Sequence, residues 1–421
     1  MTTQATPVTT KERIYTLDVI RGFALLGIFI MNMPAFNTSF YGGVDGTKQF
    51  PAWYDQWAET ARDVLFSGKF NSMFSMLFAI GFIIQLERLE ERDPAHAKFV
   101  YLRRIFWLFV FGAIHMCVFW TGDVLHIYAL FGLVLLALRR APEKVLWTLF
   151  AACMVYPVAM GLYRMSVFTP EYGEHIKSVS KVWEATNNAA YGHGSWLDAV
   201  REHGRETAML YTEPFMLRGT LAFYVQVFST MLLGLMLGRR KFFQNSGQHL
   251  PLVRRVQWAM LALGIAAGVT FGVWQFTTTD FVTPSPFRLV AGISYWVCRV
   301  CIMMFYVATI VRCVHSATWR QRLAPMATAG RMPLTNYLMQ TLLATFIFYG
   351  WGLGLWGRVG PALDIVIAFA IFFVVQVPLS KWWLGRYELG PMEWLWRKLT
   401  YGHATMKRAP EMGSDPISSA R

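Results

Sequence analysis

The chain has 421 residues, of which 55% are hydrophobic and only 15% charged, and it contains 33 Phe and 17 Trp. This is more apolar surface than a soluble domain can bury in its own core, which excludes a soluble enzyme and indicates an integral membrane protein. The net charge of +14 does not indicate a nucleic-acid partner, because about two thirds of the 39 Lys and Arg residues fall on one side of the expected topology.

Apolar runs long enough to cross about 30 Å of hydrocarbon as helices recur along the chain. They predict an all-α, polytopic transmembrane helical bundle with about ten spans. When the N-terminus and C-terminus are placed in the cytoplasm, the basic segments face the cytoplasm too, as the positive-inside rule expects. The predicted spans are 17–38, 68–86, 102–121, 124–138, 145–163, 217–238, 256–277, 288–311, 333–353 and 361–384.

The predicted organisation is two transmembrane halves joined by a long external loop. The N-terminal half covers 13–163, the external loop 164–216 and the C-terminal half 217–402. Residues 1–12 and 403–421 are expected to be mobile tails.

The first span opens with "YTLDVIRGFALLGIFIMN", which carries Asp18 and Arg21 at its cytoplasmic end. Residues three apart share a helix face, so the two charges form either a structural ion pair or part of a site for an anionic ligand. Asn32, near the outer end of the same span, is a candidate substrate-binding residue.

The outer half of the membrane gathers a second polar group. Lys69 and Asn71 begin the second span, in "FSGKFNSMFSMLFAIGF". The stretch "IHMCVFWTGDVLHIYAL" then supplies His115, Asp123 and His126 around a tight turn. A histidine beside a carboxylate can act as a general base near neutral pH. Two interpretations are open. Either His115 is catalytic, with Lys69 or Asn71 stabilising an oxyanion, or the histidines are buried residues whose only role is structural hydrogen bonding.

In the external loop, "SWLDAVREHGRETAMLY" at 195–211 mixes apolar and charged residues at helical spacing and predicts a helix on the outer surface. His175, His193 and His203 have no metal-ligand spacing and are expected to be solvated. Further along, Arg299 lies within the eighth span, where a charge needs a partner or a water-filled cavity.

The ninth span begins with "GRMPLTNYLMQT", in which Pro333 suits a helix start. Arg331 beside this helix N-terminus is predicted to bind phosphate, together with Asn336 and the cytoplasmic pair Arg103 and Arg104. The five cysteines all lie in or beside spans, and their spacing gives no metal site, so no metal is expected.

The chain resembles the YeiB-like family of bacterial polytopic proteins, whose C-terminal half is domain of unknown function 418. The matching stretches are "LDVIRGFALLGI" (17–28), "GKFNSMFSMLFAIGF" (68–82), "GDVLHIYAL" (122–130), "GRMPLTNYLMQT" (330–341) and "GPMEWLWRKLTYG" (390–402).

The opening "LDVIRG" is also similar to that of heparan-α-glucosaminide N-acetyltransferase and, more distantly, of the transmembrane acyltransferase superfamily. This resemblance implies a cytosolic acyl-CoA donor and an acceptor hydroxyl or amine on the far side. The catalytic histidine of the heparan enzyme belongs to its first external segment, and residues 39–63 here contain no histidine. His115 with Asp123 is therefore a proposed substitute for that histidine.

The leading interpretation is an acyltransferase of the inner membrane that uses acetyl-CoA or another acyl-CoA. Asp18, Arg21, Arg103, Arg104, Arg331 and Asn336 would hold the donor, and Asn32 and Arg299 the acceptor. The expected acceptor is an extracytoplasmic glycan, lipid or small molecule. Membrane lipids are the other expected partners, and a homodimer is an alternative to a monomer. The alternatives are a transporter or flippase for an anionic amphiphile, and a non-catalytic scaffold of the cell envelope.

Overall fold

The structure is a computed structural model that describes residues 14–44 and 48–402. Both tails predicted to be mobile, 1–12 and 403–421, lie outside the described residues. Within the described ranges the chain is helical and contains no β-strand. The all-α fold class predicted from the sequence is therefore confirmed.

Seventeen α-helices occur in the described part of the chain. In the first half these are α1 (Tyr15–Asn37), α2 (Trp53–Leu65), α3 (Lys69–Arg92), α4 (Ala97–Ile114), α5 (Leu125–Leu138), α6 (Glu143–Val167), α7 (Pro170–Asn187) and α8 (Trp196–Thr212). In the second half they are α9 (Pro214–Arg239), α10 (Leu250–Thr277), α11 (Pro286–Val314), α12 (Ala317–Arg322), α13 (Ala324–Gly330), α14 (Pro333–Phe348), α15 (Pro361–Ala370), α16 (Val377–Leu384) and α17 (Pro391–Tyr401). Three π-helical segments interrupt this series, at His115–Phe119, Asn188–His193 and Ile371–Gln376.

Eight helical runs within the described residues are long and apolar enough to cross a membrane, and the protein is therefore a polytopic helical membrane protein. The other two predicted spans correspond to the shorter helices α5, with 14 residues, and α14, with 16. The eight runs are Tyr15–Asn37, Trp53–Arg92, Ala97–Phe119, Glu143–Val167, Pro214–Arg239, Ser246–Thr277, Pro286–Val314 and Pro361–Leu384.

Helix α1 forms the centre of the bundle and packs against α3, α13, α14 and α15. Its side chains are buried almost all round, as a core helix requires. Two glycines let α1 and α13 touch backbone to backbone: a Cβ on Gly22 would stand 2.0 Å from the carbonyl oxygen of Met326, and one on Gly330 would stand 1.9 Å from that of Asp18. This contact fixes Arg21 and Arg331 near each other.

The two ends of α1 are anchored by residues from the far end of the chain. Tyr15 donates its hydroxyl hydrogen to the carbonyl oxygen of Arg320 at 2.8 Å. At the other end, Asn37 Nδ2 donates to the carbonyl oxygen of Val359 at 2.5 Å and also contacts the carboxylate of Asp364. The two halves of the chain thus form one bundle around α1.

The loop between the halves is itself folded, and α7 and α8 lie in it. A capping box at Ser195 and Asp198 starts α8, and the helix packs on the π-helical segment His115–Phe119 and on α9. His203 is only 2% exposed, so the expectation that it is a solvated loop histidine is wrong. Its face of α8 turns inward because the helix covers the end of α4.

Candidate functional site

A large cavity lies in the bundle beside the beginning of α1. Its volume is about 330 Å³, at the lower end of the roughly 300–1,000 Å³ that ligand pockets occupy. Helices α1, α3, α4, α5, α14 and α17 contribute its walls. Among the described residues that line it, five arginines and two carboxylates lie at one end, which we call the arginine end. These residues are Arg21, Arg88, Arg104, Arg331 and Arg397, with Asp18 and Glu393.

Four of the predicted donor residues meet at the arginine end. Arg21 Nη1 donates to Asp18 Oδ1 at 2.8 Å. The guanidinium of Arg104 lies 3.5 Å from the ring centroid of Trp396, a cation–π contact. Arg331 Nε is buried and has no hydrogen-bond partner in the described part of the chain. A buried N–H without an acceptor costs stability, so this atom suits an oxygen of an anionic ligand.

The N-terminus of α14, where phosphate was expected to bind beside Arg331, is already capped. Glu393 Oε1 accepts hydrogen bonds from the backbone N–H groups of Leu334 at 2.6 Å and Thr335 at 3.1 Å. Its Oε2 accepts from the Thr335 hydroxyl at 2.6 Å, and burial raises the pKa of Glu393. The backbone N–H groups of this helix start are therefore occupied by Glu393, and phosphate binding by the guanidinium of Arg331 stays a prediction.

Away from the arginine end the walls become apolar and aromatic, and the cavity reaches Val124, Leu125 and Tyr337. Tyr337 is 5% exposed, and its hydroxyl makes no hydrogen bond of good geometry with any described residue. The Tyr337 ring packs 5.2 Å from the ring of His115, centroid to centroid. The cavity therefore extends from a group of guanidiniums to the neighbourhood of the predicted catalytic histidine.

Asp123 joins two histidines in one buried network. His115 Nδ1 lies 2.9 Å from Asp123 Oδ1, and His126 Nδ1 lies 2.8 Å from Asp123 Oδ2. The backbone N–H of His126 also donates to Asp123 Oδ2, at 3.0 Å. All three residues are at most 5% exposed. The structure thus brings the three residues predicted around the turn into direct contact.

The same contacts assign the tautomers of both imidazoles. An ionised carboxylate only accepts hydrogen bonds, so each histidine carries its hydrogen on Nδ1 and presents Nε2 as an acceptor. His115 Nε2 lies 2.9 Å from Thr341 Oγ1, and His126 Nε2 lies 2.8 Å from the hydroxyl of Tyr211. Each Nε2 therefore accepts a hydrogen bond from a hydroxyl.

The π-helical segment His115–Phe119 sets the direction of the His115 side chain. The backbone N–H of Trp120 donates to the carbonyl oxygen of His115 at 2.9 Å, which closes this wider turn. The chain then reverses at Thr121 and Gly122, which returns Asp123 to His115. π-Helical turns of this kind are frequent at functional sites.

A second cavity, of about 150 Å³, lies toward the other end of α1: Ala35 lines it, whereas the large cavity meets α1 only as far as Ile28. It is lined by Trp120, Thr121 and Gly122, which immediately precede Asp123, and by residues of α1, α8 and the segment before α15. Glu206 is the one carboxylic acid among the described residues that line it, and it accepts from the hydroxyls of Tyr191 at 2.6 Å and Thr121 at 3.1 Å. Burial raises the pKa of Glu206.

Lys69 and Arg299 lie in a separate buried cluster outside both cavities. Lys69 Nζ donates to the carbonyl oxygen of Asp63 at 2.8 Å. Arg299 donates to the hydroxyls of Ser72 at 2.6 Å and Ser229 at 3.3 Å. Lys69 thus lies away from the position that an oxyanion donor beside His115 would need. Arg299 meets no described residue of the His115 network.

Three other predicted site residues also lie outside the two cavities. Arg103 is exposed on α4, whereas its neighbour Arg104 lines the large cavity. Asn336 is fully buried and ties helices together, with Nδ2 donating to the carbonyl oxygen of Ala329 and to Ser380 Oγ, both at 3.0 Å. Asn32 is half-buried.

Asn71 touches the wall of the large cavity only through its backbone. Its carbonyl oxygen accepts from the hydroxyl of Tyr128, a wall residue, at 3.4 Å. Its side-chain Oδ1 is buried without a partner in the structure's described ranges.

Sequence reasoning missed Thr341, Tyr337 and Glu393. Tyr337 and Thr341 are four residues apart on α14, hence on one face. Both lie in the stretch "GRMPLTNYLMQT", and Tyr337 directly follows Asn336, whose side chain points about 100° away around the helix. Glu393 shows no sequence signal for capping a helix that begins 60 residues earlier.

Comparison with known proteins gives related chains over nearly the whole length. A family described as "Protein of unknown function (DUF418)" matches residues 237–403. The chain is similar to uncharacterised protein YxaH of Bacillus subtilis (strain 168), with 33% identity over 408 residues that cover 94% of this chain and 96% of the relative. It is 28% identical to an uncharacterised 39.9 kDa protein from the amylase 3' region of Bacillus acidopullulyticus, over 94% of this chain and 96% of the relative. It is also 28% identical to uncharacterised protein YeiB of Escherichia coli (strain K12), over 92% and 96%.

Proposed function

This chain belongs to the YeiB-like DUF418 family, and from that premise and the geometry above we propose that it is a membrane acyltransferase using an acyl-CoA donor and an extracytoplasmic acceptor. The observation that carries the proposal is the buried pair His115–Asp123, situated between a cavity rich in arginine and a second cavity. We further propose the inner membrane as its location, with the arginine end facing the cytoplasm.

The large cavity matches the chemistry of an acyl-CoA in two respects. Its arginine end offers guanidiniums for phosphates, and Arg331 Nε supplies a buried donor without an acceptor. Its remaining walls are apolar and suit the pantetheine arm and the acyl group. In this arrangement the thioester lies near Tyr337, beside the ring of His115.

His115 is the base of the proposed reaction. Asp123 Oδ1 accepts the hydrogen bond of His115 Nδ1, with 2.9 Å between the two heavy atoms, and thereby orients the ring so that Nε2 is the acceptor. A hydroxyl or amine loses its proton to this side of the imidazole as it attacks the thioester carbonyl carbon. Asp123 then stabilises the imidazolium that forms.

The second cavity is the proposed entry for the acceptor. Its walls carry Tyr41, Trp120, Tyr191, Tyr349 and Trp356 beside the carboxyl of Glu206. Aromatic faces with one acid suit a ring-sized polar group, and about 150 Å³ is the size of a cavity that holds one benzene ring. The acceptor group therefore reaches Thr121 and Gly122 from the side opposite the donor.

Thermal unfolding of the purified protein with acetyl-CoA tests the donor site. We expect acetyl-CoA to raise the melting temperature of the wild type. Arg331→Ala should weaken binding by about 1.5–3 kcal/mol, the value of one hydrogen bond to a charged group, or roughly 10- to 150-fold in Kd. Arg103→Ala is the matched control, because Arg103 is exposed and outside the cavity, and it should bind as the wild type does.

Equal losses of binding in the two arginine variants would contradict the proposed donor site. An unchanged melting temperature of the wild type with acetyl-CoA, octanoyl-CoA and palmitoyl-CoA would remove acyl-CoA as the donor.

A transporter or flippase for an anionic amphiphile is the second candidate. The observation that favours it is the presence of cavities on both sides of one polar layer, as alternating access would use. Flux of a labelled anionic lipid into proteoliposomes without acyl-CoA would support transport, whereas acyl transfer without flux would support the acyltransferase.

A further inference from the structure

The Nε2 atom of His115, which the proposed base needs, is already engaged by a hydroxyl of the protein. Thr341 Oγ1 lies 2.9 Å from it, and Asp123 Oδ1 lies 2.9 Å from the Nδ1 atom on the opposite side of the ring. We propose that Thr341 is a nucleophile that carries the acyl group between donor and acceptor, with His115 as its base and Asp123 as the orienting carboxylate. This inference rests on the proposed acyltransferase function.

The three side chains have the connectivity of a nucleophile, a base and an orienting acid. The carboxylate fixes the hydrogen of His115 on Nδ1, so Nε2 accepts and the Thr341 hydroxyl donates. Thr341 is 1% exposed, His115 2% and Asp123 3%, so the network is shielded from water. Such shielding protects an acyl ester from hydrolysis until the acceptor arrives.

Thr341 differs from an ordinary buried helix threonine. Such residues commonly donate back to a carbonyl oxygen of the preceding turn. Thr345, one turn further along α14, does so, with Oγ1 donating to the carbonyl oxygen of Thr341 at 2.8 Å. The Thr341 hydroxyl instead contacts the imidazole of His115, which is 226 residues away in sequence.

The position of Thr341 between the cavities suits a relay. Tyr337, one helical turn before it on the same face, lines the large cavity. Thr121 and Gly122, just before Asp123, line the second cavity. Thr341 itself is buried and lines neither cavity, so in this proposal the donor reaches its hydroxyl past Tyr337 and the acceptor past Thr121.

Tyr337 completes the arrangement as the hydrogen-bond donor for the thioester oxygen. Its hydroxyl is buried, lacks a partner of good geometry within residues 14–44 and 48–402, and belongs to a side chain that packs on His115. A preorganised donor of this kind stabilises the oxyanion that develops when a carbonyl carbon is attacked.

The chemistry balances in two half-reactions. In the first, Thr341 Oγ1 attacks the thioester carbonyl carbon and gives its proton to His115 Nε2; the carbon–sulfur bond breaks, and the CoA thiolate takes that proton. In the second, the hydroxyl or amine of the acceptor attacks the threonyl ester and gives its proton to His115; the carbon–Oγ1 bond breaks, and the proton returns to Oγ1. No oxidant, metal or further reactant is consumed.

The decisive experiment incubates the purified full-length protein with acetyl-CoA and no acceptor. Free CoA is quantified by chromatography, and the protein is analysed by intact mass and by peptide mapping. The expected result is a rapid release of one CoA per protein molecule and one acetyl group mapped to Thr341. Acyl transfer in native membranes without any such adduct, with CoA released only when acceptor is present, would overturn the inference while leaving the acyltransferase proposal standing.

Three variants separate a nucleophile from a structural hydroxyl. Thr341→Ser keeps the hydroxyl and should retain the burst and the adduct, whereas Thr341→Val should lose both. Thr345→Val is the matched control, because Thr345 is a buried threonine of the same helix whose hydroxyl donates only to the backbone carbonyl oxygens of Thr341 and Leu342. It should behave as the wild type. Folding of each variant is followed by its melting temperature. Thr341→Val turning over at the wild-type rate would also overturn the inference.

A failure of the acyltransferase proposal itself is distinguishable. In that case, the wild-type protein would release CoA from none of the acyl-CoAs, either in membranes or in detergent. That result would overturn both the acyltransferase proposal and the assignment of Thr341 as a nucleophile.

Discussion

Replacing Asp123 by asparagine should lower turnover strongly while changing the stability of the buried network only slightly. The amide has the shape of the carboxylate, but only one of its two terminal atoms accepts hydrogen bonds. Oδ2 meets two donors, His126 Nδ1 at 2.8 Å and the His126 backbone N–H at 3.0 Å, so the amide oxygen takes that side. The NH₂ group then faces His115 Nδ1, which must become an acceptor.

His115 consequently moves its hydrogen to Nε2, and that atom can no longer accept from Thr341. The hydrogen-bond count is kept, because Thr341 Oγ1 can accept instead. The cost in stability is therefore limited to exchanging charge-assisted bonds for neutral ones, about 1–2 kcal/mol. The base, however, is lost, and we expect turnover to fall by about 10³–10⁴, equivalent to roughly 4–5.5 kcal/mol in the barrier.

The assay is CoA release from acetyl-CoA in membranes that contain each variant, normalised to folded protein, with the melting temperature as the second readout. Asp364→Asn is the matched control, since Asp364 is 2% exposed and accepts hydrogen bonds from Asn37, outside both cavities. We expect the control to retain activity. An Asp123→Asn variant within about threefold of wild-type turnover would refute this account of the base.

Two further predictions concern the fold. Gly330→Ala should lower the free energy of unfolding by at least about 1–3 kcal/mol, because the added Cβ would stand 1.9 Å from the carbonyl oxygen of Asp18 and push α13 away from α1. Gly292→Ala is the control, since nothing lies within 4 Å of its new Cβ, and it should leave the melting temperature unchanged or raise it. Burial lowers the pKa of His203 from 6.5 to about 4, so the unfolded chain binds more protons between these values and stability falls as pH drops. Between pH 7 and pH 5 this residue lowers the free energy of unfolding by about 2 kcal/mol. In His203→Asn the melting temperature should therefore depend less steeply on pH over this interval, and equal slopes in both proteins would contradict the prediction.

The contacts that local spacing encodes could be predicted from the sequence. Asp123 and His126 are three residues apart at a helix start, and the turn at Thr121 and Gly122 returns the chain toward His115. Asp18 and Arg21 likewise pair within one turn, at 2.8 Å. In each case a few residues determine the geometry, so hydrophobic pattern and helix periodicity were sufficient.

Lateral position within the bundle could not be predicted in the same way. Hydropathy and the direction of each span predict the depth of a residue in the membrane. They placed Lys69 near His115 because both residues belong to the outer half of the membrane. Depth does not report which helices are neighbours or how each is rotated about its axis. Lys69 faces α11 and Tyr295, whereas His115 faces α14 and Thr341. The separation of Arg103 from Arg104 has the same cause, since adjacent helix residues point about 100° apart.

The polar layer between the cavities also bears on the choice between acyl transfer and transport. Two hydrogen bonds from imidazole N–H groups to the Asp123 carboxylate and two from hydroxyls to Nε2 atoms join the side chains of this layer. With about 1.5–3 kcal/mol for each charged bond and about 0.5–1.5 for each neutral one, opening the layer costs roughly 4–9 kcal/mol. A transported amphiphile would have to meet this cost in every cycle, whereas an acyl relay breaks only the contact between Thr341 and His115. The closed layer therefore favours moving a small acyl group through it over moving a whole lipid.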